Sequence, residues 1–167
     1  AIFNNPQEAL SIDQLQKMES LHCFLKETLR FHTPAPGNVP RVALEDHKIG
    51  DLEIKKGEQI RVEILSSCFD ENIFENPQTF NPMRWRNLEK MDSWMFTPFS
   101  GGPRNCIGQH LAIIEAKIII SEYLNMFDLK LQDGYKLKMG PKFLYEPVDQ
   151  LLFDLTPKPK NYKFDNM

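Results

Sequence analysis

Cys106 has the surroundings that most favour chemistry, because it joins a glycine-rich loop to the start of an apolar, helix-forming stretch. The loop, residues 98–108, reads PFSGGPRNCIG. Unpaired amides and the positive end of the dipole at a helix start favour a thiolate, which is a strong ligand for soft metals. The glycines of the loop allow the backbone to approach a flat ligand closely. The loop therefore predicts a thiolate ligand for a metal, beside a flat group.

Two other interpretations of Cys106 remain open from the residues alone. A lone cysteine at a helix end is more often an ordinary buried thiol. His110 lies one helical turn after Cys106, so the two side chains could share a zinc ion. A zinc site would need further ligands, and His22 with Cys23 is the only other local cluster of such residues. Metal analysis would show whether zinc is bound.

Glu27 and Arg30, in the segment KETLR, form a second candidate group. They lie three residues apart on a predicted helix and therefore share one face, away from its apolar stripe. An isolated pair with this spacing is most often a solvated ion pair, worth about 0.2–0.5 kcal/mol. The pair alone is a weak indication of function.

Two helices are predicted to position these residues. Ser11 and Gln14 have the pattern of a capping box, and mostly apolar residues at three- and four-residue steps continue a helix over residues 11–30. A proline-rich stretch then ends it. Residues 107–127 are apolar on nearly every face, which predicts a second helix, buried in an interior.

Short β-like runs occur in two regions. Residues 41–65, with a last run at 59–65, predict a small, mainly antiparallel sheet. Residues 128–156 predict C-terminal hairpins, with one strand at 135–139. The stretch between these regions, 69–105, is rich in Pro, Asn, Asp and aromatic residues without periodicity. It is long for a structureless connection and is predicted to be an ordered, functional segment.

Composition excludes several classes of protein. The chain has 167 residues and a net charge of -3, with scattered Lys and Arg, so nucleic acid is not expected as a partner. Three widely spaced cysteines do not suit a disulfide framework and favour a reducing compartment. No apolar run is long enough to span a bilayer, and residues 1–10 lack the features of a signal peptide. Because the chain begins at Ala1 rather than Met, this lack of an anchor does not indicate a soluble protein.

The cysteine loop resembles the haem loop of the cytochrome P450 family, Phe-x-x-Gly-x-Arg-x-Cys-x-Gly. The five fixed positions all agree, at Phe99, Gly102, Arg104, Cys106 and Gly108. The resemblance implies that Cys106 is the axial iron ligand of haem b, that Phe99 packs beside the sulfur, and that Arg104 pairs with a haem propionate. It also implies that Arg41 is a second propionate-binding arginine. A surface arginine at a strand edge is an equally ordinary explanation for Arg41.

Residues 80–85, FNPMRW, are similar to the family's Phe-x-Pro-x-Arg-Phe/Trp segment. The resemblance implies that Glu27, Arg30 and Arg84 form a buried charged network. Such a network contributes little net stability but is costly to break, because one lost partner leaves a charge unpaired in a low dielectric. Its expected role is to lock segment 69–105 against the first helix and thereby position the cysteine loop.

The resemblance is to the eukaryotic type of this family. It implies an α+β fold, mainly α with small antiparallel β-sheets. Residues 1–167 would form one C-terminal, haem-proximal region of a larger domain. The N-terminal portion, with the oxygen-activating helix, is expected to lie outside these residues, so this chain alone is expected to be incomplete and inactive. By resemblance, residues 35–39 and 143–148 line the substrate pocket.

The implied activity is that of a monooxygenase, which inserts one oxygen atom of O2 into a small lipophilic substrate. Electrons would come from an NADPH-dependent reductase or a ferredoxin. The implied location is the cytosolic face of the endoplasmic reticulum membrane, with membrane contact through the N-terminal portion. The alternative is a haem-binding protein, or a decayed fragment, without monooxygenase activity. An acid-alcohol pair on the oxygen-activating helix would favour the enzyme.

Overall fold

The computed structural model of the chain describes residues 10–86, 92–142 and 144–159. Helices and short antiparallel strands make up this part of the chain, as expected for an α+β fold. The α-helices are α1 (Ile12–Gln16), α2 (Glu19–Phe31), α3 (Ile64–Cys68) and α4 (Gln109–Met126), and 3-10 helices cover Pro82–Arg86 and Gly102–Arg104. The strands are β1 (Arg41–Val42), β2 (His47–Ile49), β3 (Leu52–Ile54), β4 (Gln59–Ile60), β5 (Phe127–Leu131), β6 (Met139–Pro141), β7 (Tyr145–Pro147) and β8 (Phe153–Pro157).

The strands of the described residues pair in antiparallel ladders of two, β1 with β4, β2 with β3, β5 with β8, and β6 with β7. The sheet predicted over residues 41–65 is therefore two separate ladders. In the sequence, β2 and β3 lie between β1 and β4. Gly50 and Gly57 have positive φ angles of 58° and 91°, at the turns on either side of β3. Both turns were expected from the sequence, because glycine adopts such angles without strain.

Two strands predicted from the sequence are wrong in part. β4 ends at Ile60, Glu63 forms only an isolated antiparallel bridge with Gly37, and α3 begins at Ile64, within the strand predicted at 59–65. The first amide of α3, from Ile64, donates to the carbonyl of Pro36 at 2.7 Å. This contact with a distant segment is one that local pattern cannot reveal. The strand predicted at 135–139 begins only at Met139.

The helix predicted over residues 11–30 is divided into α1 and α2, although the capping box at its start is present. In a continuous helix the Leu15 carbonyl would accept a hydrogen bond from the Glu19 amide. Instead the Glu19 amide donates to the Lys17 carbonyl at 2.9 Å, and the Leu15 carbonyl accepts from Nζ of Lys117 at 2.8 Å. Lys117 belongs to α4 and is only 6% exposed. The Leu15 carbonyl also accepts from the Met18 amide at 3.4 Å, and the buried lysine of α4 donates to it where a continuous helix would place the Glu19 amide.

We expect Lys117→Met to lower the free energy of unfolding of the complete gene product by about 2 kcal/mol, because the Leu15 carbonyl loses a charged donor. Methionine keeps most of the apolar length of the side chain. Urea unfolding would measure the change. The control is Lys130→Met, which removes an exposed ion pair with Asp133 and should cost about 0.5 kcal/mol or less. Equal stability of the Lys117→Met variant and the unaltered protein would contradict this account of the helix break.

The sequence predicts that the helix at 107–127 is buried, and this is wrong for the described structure. The buried residues of α4 are Lys117 and Ser121, whereas Leu111 is 61% and Ile119 56% exposed. Among the described elements α4 packs mainly against α1, α2 and β5, and they leave much of its apolar surface open. No helix in the described part of the chain is long and apolar enough to cross a membrane.

An aromatic cluster joins α2 to the irregular segment. Cys23 of α2, Phe74 and Trp85 are buried together, and Ile73 and Phe96 pack against them. The Trp85 and Phe96 rings lie 4.7 Å apart between centroids. Since Phe96 comes shortly before the cysteine loop, this cluster links the loop to α2.

Candidate functional site

The cysteine loop, residues 98–108, is held by hydrogen bonds between backbone groups of the loop and of Thr97, the residue before it. The Ser100 amide donates to the Thr97 carbonyl at 2.9 Å, and the Cys106 amide donates to the Phe99 carbonyl at 2.9 Å. Ser100 and Gly102 have positive φ angles of 65° and 72°. The angle at Gly102 is one that glycine adopts without strain. The loop therefore closes on itself and brings Cys106 to the start of α4.

The Cys106 side chain is exposed, unlike those of Cys23 and Cys68, which are buried. Its carbonyl accepts a hydrogen bond of 3.3 Å from the amide of Gln109, the first residue of α4. A Cβ placed at Gly108 would lie 3.8 Å from Cys106 Sγ, so glycine leaves this side of the sulfur uncovered. The thiol is open to a ligand.

A cavity of about 430 Å³ lies between the cysteine loop and the β1–β4 ladder. Arg41 of β1 and Arg104 of the loop both line it, together with Trp94 and the apolar side chains of Ile60 and Val62. None of the residues that line it is acidic, and neither arginine forms an ion pair with any residue that the structure describes. Two cationic groups in one partly apolar cavity suit an anionic ligand with an apolar body.

The residues predicted from the sequence to bind a ligand do not all line this cavity. Arg41 and Arg104 share the cavity, although they are far apart in sequence. Cys106 and Gly108 lie two and four residues after Arg104, and neither lines this cavity. Phe99 contributes its carbonyl to the Cys106 amide.

Glu27 is fully buried and accepts five hydrogen bonds. Its Oε1 accepts from Arg30 Nη2 (2.8 Å), Arg84 Nε (3.1 Å) and the Asn81 amide (2.7 Å). Its Oε2 accepts from Arg30 Nε (3.0 Å) and Trp85 Nε1 (2.8 Å). One carboxylate of α2 therefore joins both arginines to the segment around the 3-10 helix Pro82–Arg86.

The two arginines also bind backbone carbonyls of the irregular segment. Arg30 Nη1 donates to the carbonyls of Cys68 and Pro77, each at 2.8 Å, and Arg84 Nη1 donates to that of Glu75 at 2.7 Å. These carbonyls were not identified from the sequence, because nothing in a residue type marks its carbonyl as a partner. Trp85 was missed too, although a tryptophan expected to be buried needs an acceptor for its indole N–H.

Burial works to raise the pKa of Glu27, but the hydrogen bonds from Arg30, the Asn81 amide and Trp85, with the charge of Arg30, outweigh it. The pKa is held at about 2, below its ordinary value of 4.5. A carboxylate with a lowered pKa stabilises the fold above its ordinary pKa and loses that contribution as the pH falls. At neutral pH the lowered pKa of Glu27 corresponds to a contribution of about 3 kcal/mol to the free energy of unfolding.

We therefore expect the free energy of unfolding to fall as the pH drops below about 4.5, because the unfolded Glu27 binds a proton first. Urea unfolding of the complete gene product between pH 6 and 3 would measure the slope. Glu27→Gln should remove this part of the slope. Glu53→Gln, at an exposed residue of β3, should leave it unchanged. A Glu27→Gln variant with the slope of the unaltered protein would contradict the prediction.

The zinc interpretation requires Cys106 and His110 to gather further ligands. Both side chains are exposed. Across the described residues, no three His, Cys, Asp or Glu side chains lie together as a metal site. The zinc interpretation therefore has no ligand set in this part of the chain.

Comparison with known proteins gives the family. Residues 2–161 match the family model described as Cytochrome P450. The chain is 39% identical over 140 residues to a cytokinin hydroxylase of Arabidopsis thaliana, covering 80% of this chain and 27% of that protein. It is 33% identical over 167 residues to the probable cytochrome P450 4d20 of Drosophila melanogaster, covering 94% of this chain and 32% of that protein. The chain thus spans less than a third of the length of these relatives, and it belongs to the cytochrome P450 family.

Proposed function

We propose that the complete protein is a haem-thiolate monooxygenase and that this chain is its C-terminal, haem-proximal part. Cytochromes P450 bind haem and act as monooxygenases, and the chain belongs to that family. The observation that most supports the proposal is the cysteine loop, which presents an exposed Cys106 two residues after an arginine of the cationic cavity. The same loop thus offers a thiolate and a cationic group to one ligand.

The residues present fit haem b. Haem carries an iron that a thiolate can hold, a flat apolar ring, and carboxylate groups at one edge. Cys106 is the proposed iron ligand, and Arg41 and Arg104 are the proposed partners of the propionates, because both line one cavity. Gly102 and Gly108 permit the backbone to turn and leave the sulfur uncovered. The Phe99 carbonyl holds the backbone of Cys106 in place.

When bound, haem supplies the activation of oxygen, which a thiolate ligand promotes by donating electron density to the iron. The residues of this chain hold and orient that group. The guanidinium groups neutralise charge at the propionate edge in a partly apolar cavity, where a charge-assisted hydrogen bond is strong. Glu27, Arg30 and Arg84 are proposed to act at a distance, by fixing segment 69–105 and with it the approach to the loop.

Substrate, partners and location follow as further parts of the proposal. The Tyr145 amide donates to the Pro34 carbonyl at 2.7 Å, which supports a common pocket for segments 35–39 and 143–148. Phe143 itself lies outside the described residues. A small lipophilic substrate, O2, and an electron donor, either an NADPH-dependent reductase or a ferredoxin, are the proposed partners. Attachment to the endoplasmic reticulum membrane, facing the cytosol, is proposed to reside in the portion of the protein beyond this chain.

A carbon monoxide difference spectrum of the reduced complete gene product tests the proposal. The expected result is a Soret band shifted far to the red, which is the signature of a thiolate ligand. Bound haem with an unshifted Soret band would overturn the assignment of Cys106. Oxygenation of a lipophilic substrate that requires O2 and the reductase would then separate a monooxygenase from a haem protein without turnover.

A further inference from the structure

Trp94 is 68% exposed, although its indole ring rests on the cysteine loop. A Cβ added at Gly101 would lie 2.5 Å from Cζ3 of this ring, and one at Gly102 would lie 3.8 Å from Cη2. The first distance is shorter than real carbon contacts allow. The ring therefore occupies its position only because residue 101 has no side chain.

The backbone beneath this indole is anchored. The Trp94 amide donates to Oδ1 of Asp92 at 3.0 Å, and the Met95 amide donates to the Asp92 carbonyl at 2.9 Å. Phe96, two residues later, packs against Trp85 in the buried aromatic cluster. Trp94 thus projects from a fixed backbone, while its own ring remains open on one side.

The exposed indole also borders the cavity between the cysteine loop and the β1–β4 ladder. Trp94 lines it together with Arg41 and Arg104, and Ile60 and Val62 add apolar surface. An exposed indole is a large apolar surface, and covering it with a flat apolar ligand is favourable. The cavity therefore combines an aromatic wall with two cations, which matches a planar molecule that carries carboxylates at its edge.

We propose that Trp94 is a further haem-binding residue of this chain, with its indole forming the apolar wall of the cavity beside Arg41 and Arg104. This inference rests on the proposed haem function. It gives Gly101 a specific role, which is to leave room for the indole. A side chain at position 101 would displace the ring from the cavity wall.

The test compares Trp94→Ala, Gly101→Ala and the double variant in the complete, haem-loaded gene product. The readout is the rate of haem transfer to apomyoglobin. We expect either single change to raise this rate about tenfold, since each removes the indole from the ligand. The double variant should lose haem no faster than Trp94→Ala alone, because Gly101→Ala acts through the indole. Trp94→Phe keeps an aromatic wall and should stay within about threefold of the unaltered protein.

An unchanged transfer rate in Trp94→Ala would overturn the role of Trp94. So would a double variant in which the two effects multiply, because the alanine at 101 would then act without the indole. A carbon monoxide difference spectrum of the unaltered protein is recorded alongside. A red-shifted Soret band there, with no effect of the Trp94 variants, rejects this inference alone, whereas an unshifted band rejects the proposed haem-thiolate function.

Discussion

Glu27→Ala in the complete gene product is expected to abolish haem retention, although Glu27 lies on α2 and outside the cysteine loop. The change leaves Arg30 and Arg84, which are 0% and 9% exposed at their side chains, without their carboxylate. Breaking a buried ion pair in this way costs about 3–5 kcal/mol. That is a large part of the stability of a typical protein, about 5–15 kcal/mol. The haem-to-protein ratio of the purified variant is the measurement.

The same helix offers a matched control. Glu19 of α2 pairs with Arg86 at 3.8 Å, but the two side chains are 70% and 41% exposed. Because exposed ion pairs contribute about 0–1 kcal/mol, Glu19→Ala should keep a normal haem content. A correctly folded Glu27→Ala variant with normal haem content would show that the buried network does not position the haem site.

Contacts along the irregular segment explain how Glu27 could act on a loop that it does not touch. Its Oε2 accepts from the Trp85 indole, and the Trp85 ring packs against Phe96 at 4.7 Å. Phe96 is followed directly by Thr97, whose carbonyl accepts from the Ser100 amide at the start of the loop. Each step is a packed ring, a hydrogen bond or, from Phe96 to Thr97, the peptide bond itself. We infer that loss of the carboxylate loosens the segment from which the cysteine loop is built.

The sequence predicted those features that depend on neighbouring residues. The capping box of Ser11 and Gln14, and the turns at Gly50 and Gly57, are set by a few adjacent residues, and all are present. The shared face of Glu27 and Arg30 follows from helix geometry alone.

What the sequence could not predict depends on contacts between distant residues. The break between α1 and α2 involves Lys117, which is 102 positions from its partner Leu15. The contact of the Trp94 ring with Gly101 depends on how the loop turns back on itself. The open apolar surface of α4 has the same cause, since periodicity shows that a face is apolar but not which element covers it.

The largest effect expected at the cysteine loop is that of Cys106→Ser. A serine hydroxyl stays protonated at neutral pH and cannot donate electron density as a thiolate does. The variant is therefore expected to show no red-shifted Soret band in the carbon monoxide difference spectrum and no oxygenation of substrate. Its haem content should also fall, because the proposed protein ligand of the iron is removed.

Cys68→Ala provides the control, because Cys68 is a thiol of the same chain in the opposite environment. It is 1% exposed, its sulfur lies 3.6 Å from the Thr33 hydroxyl, and burial raises the pKa of its thiol. A buried neutral thiol packs as a small apolar group, so its loss should lower stability by about 1 kcal/mol and leave the spectrum unchanged. If Cys106→Ser retained the red-shifted band, another residue would have to supply the thiolate, and exposure at a helix start would not be what selects the ligand.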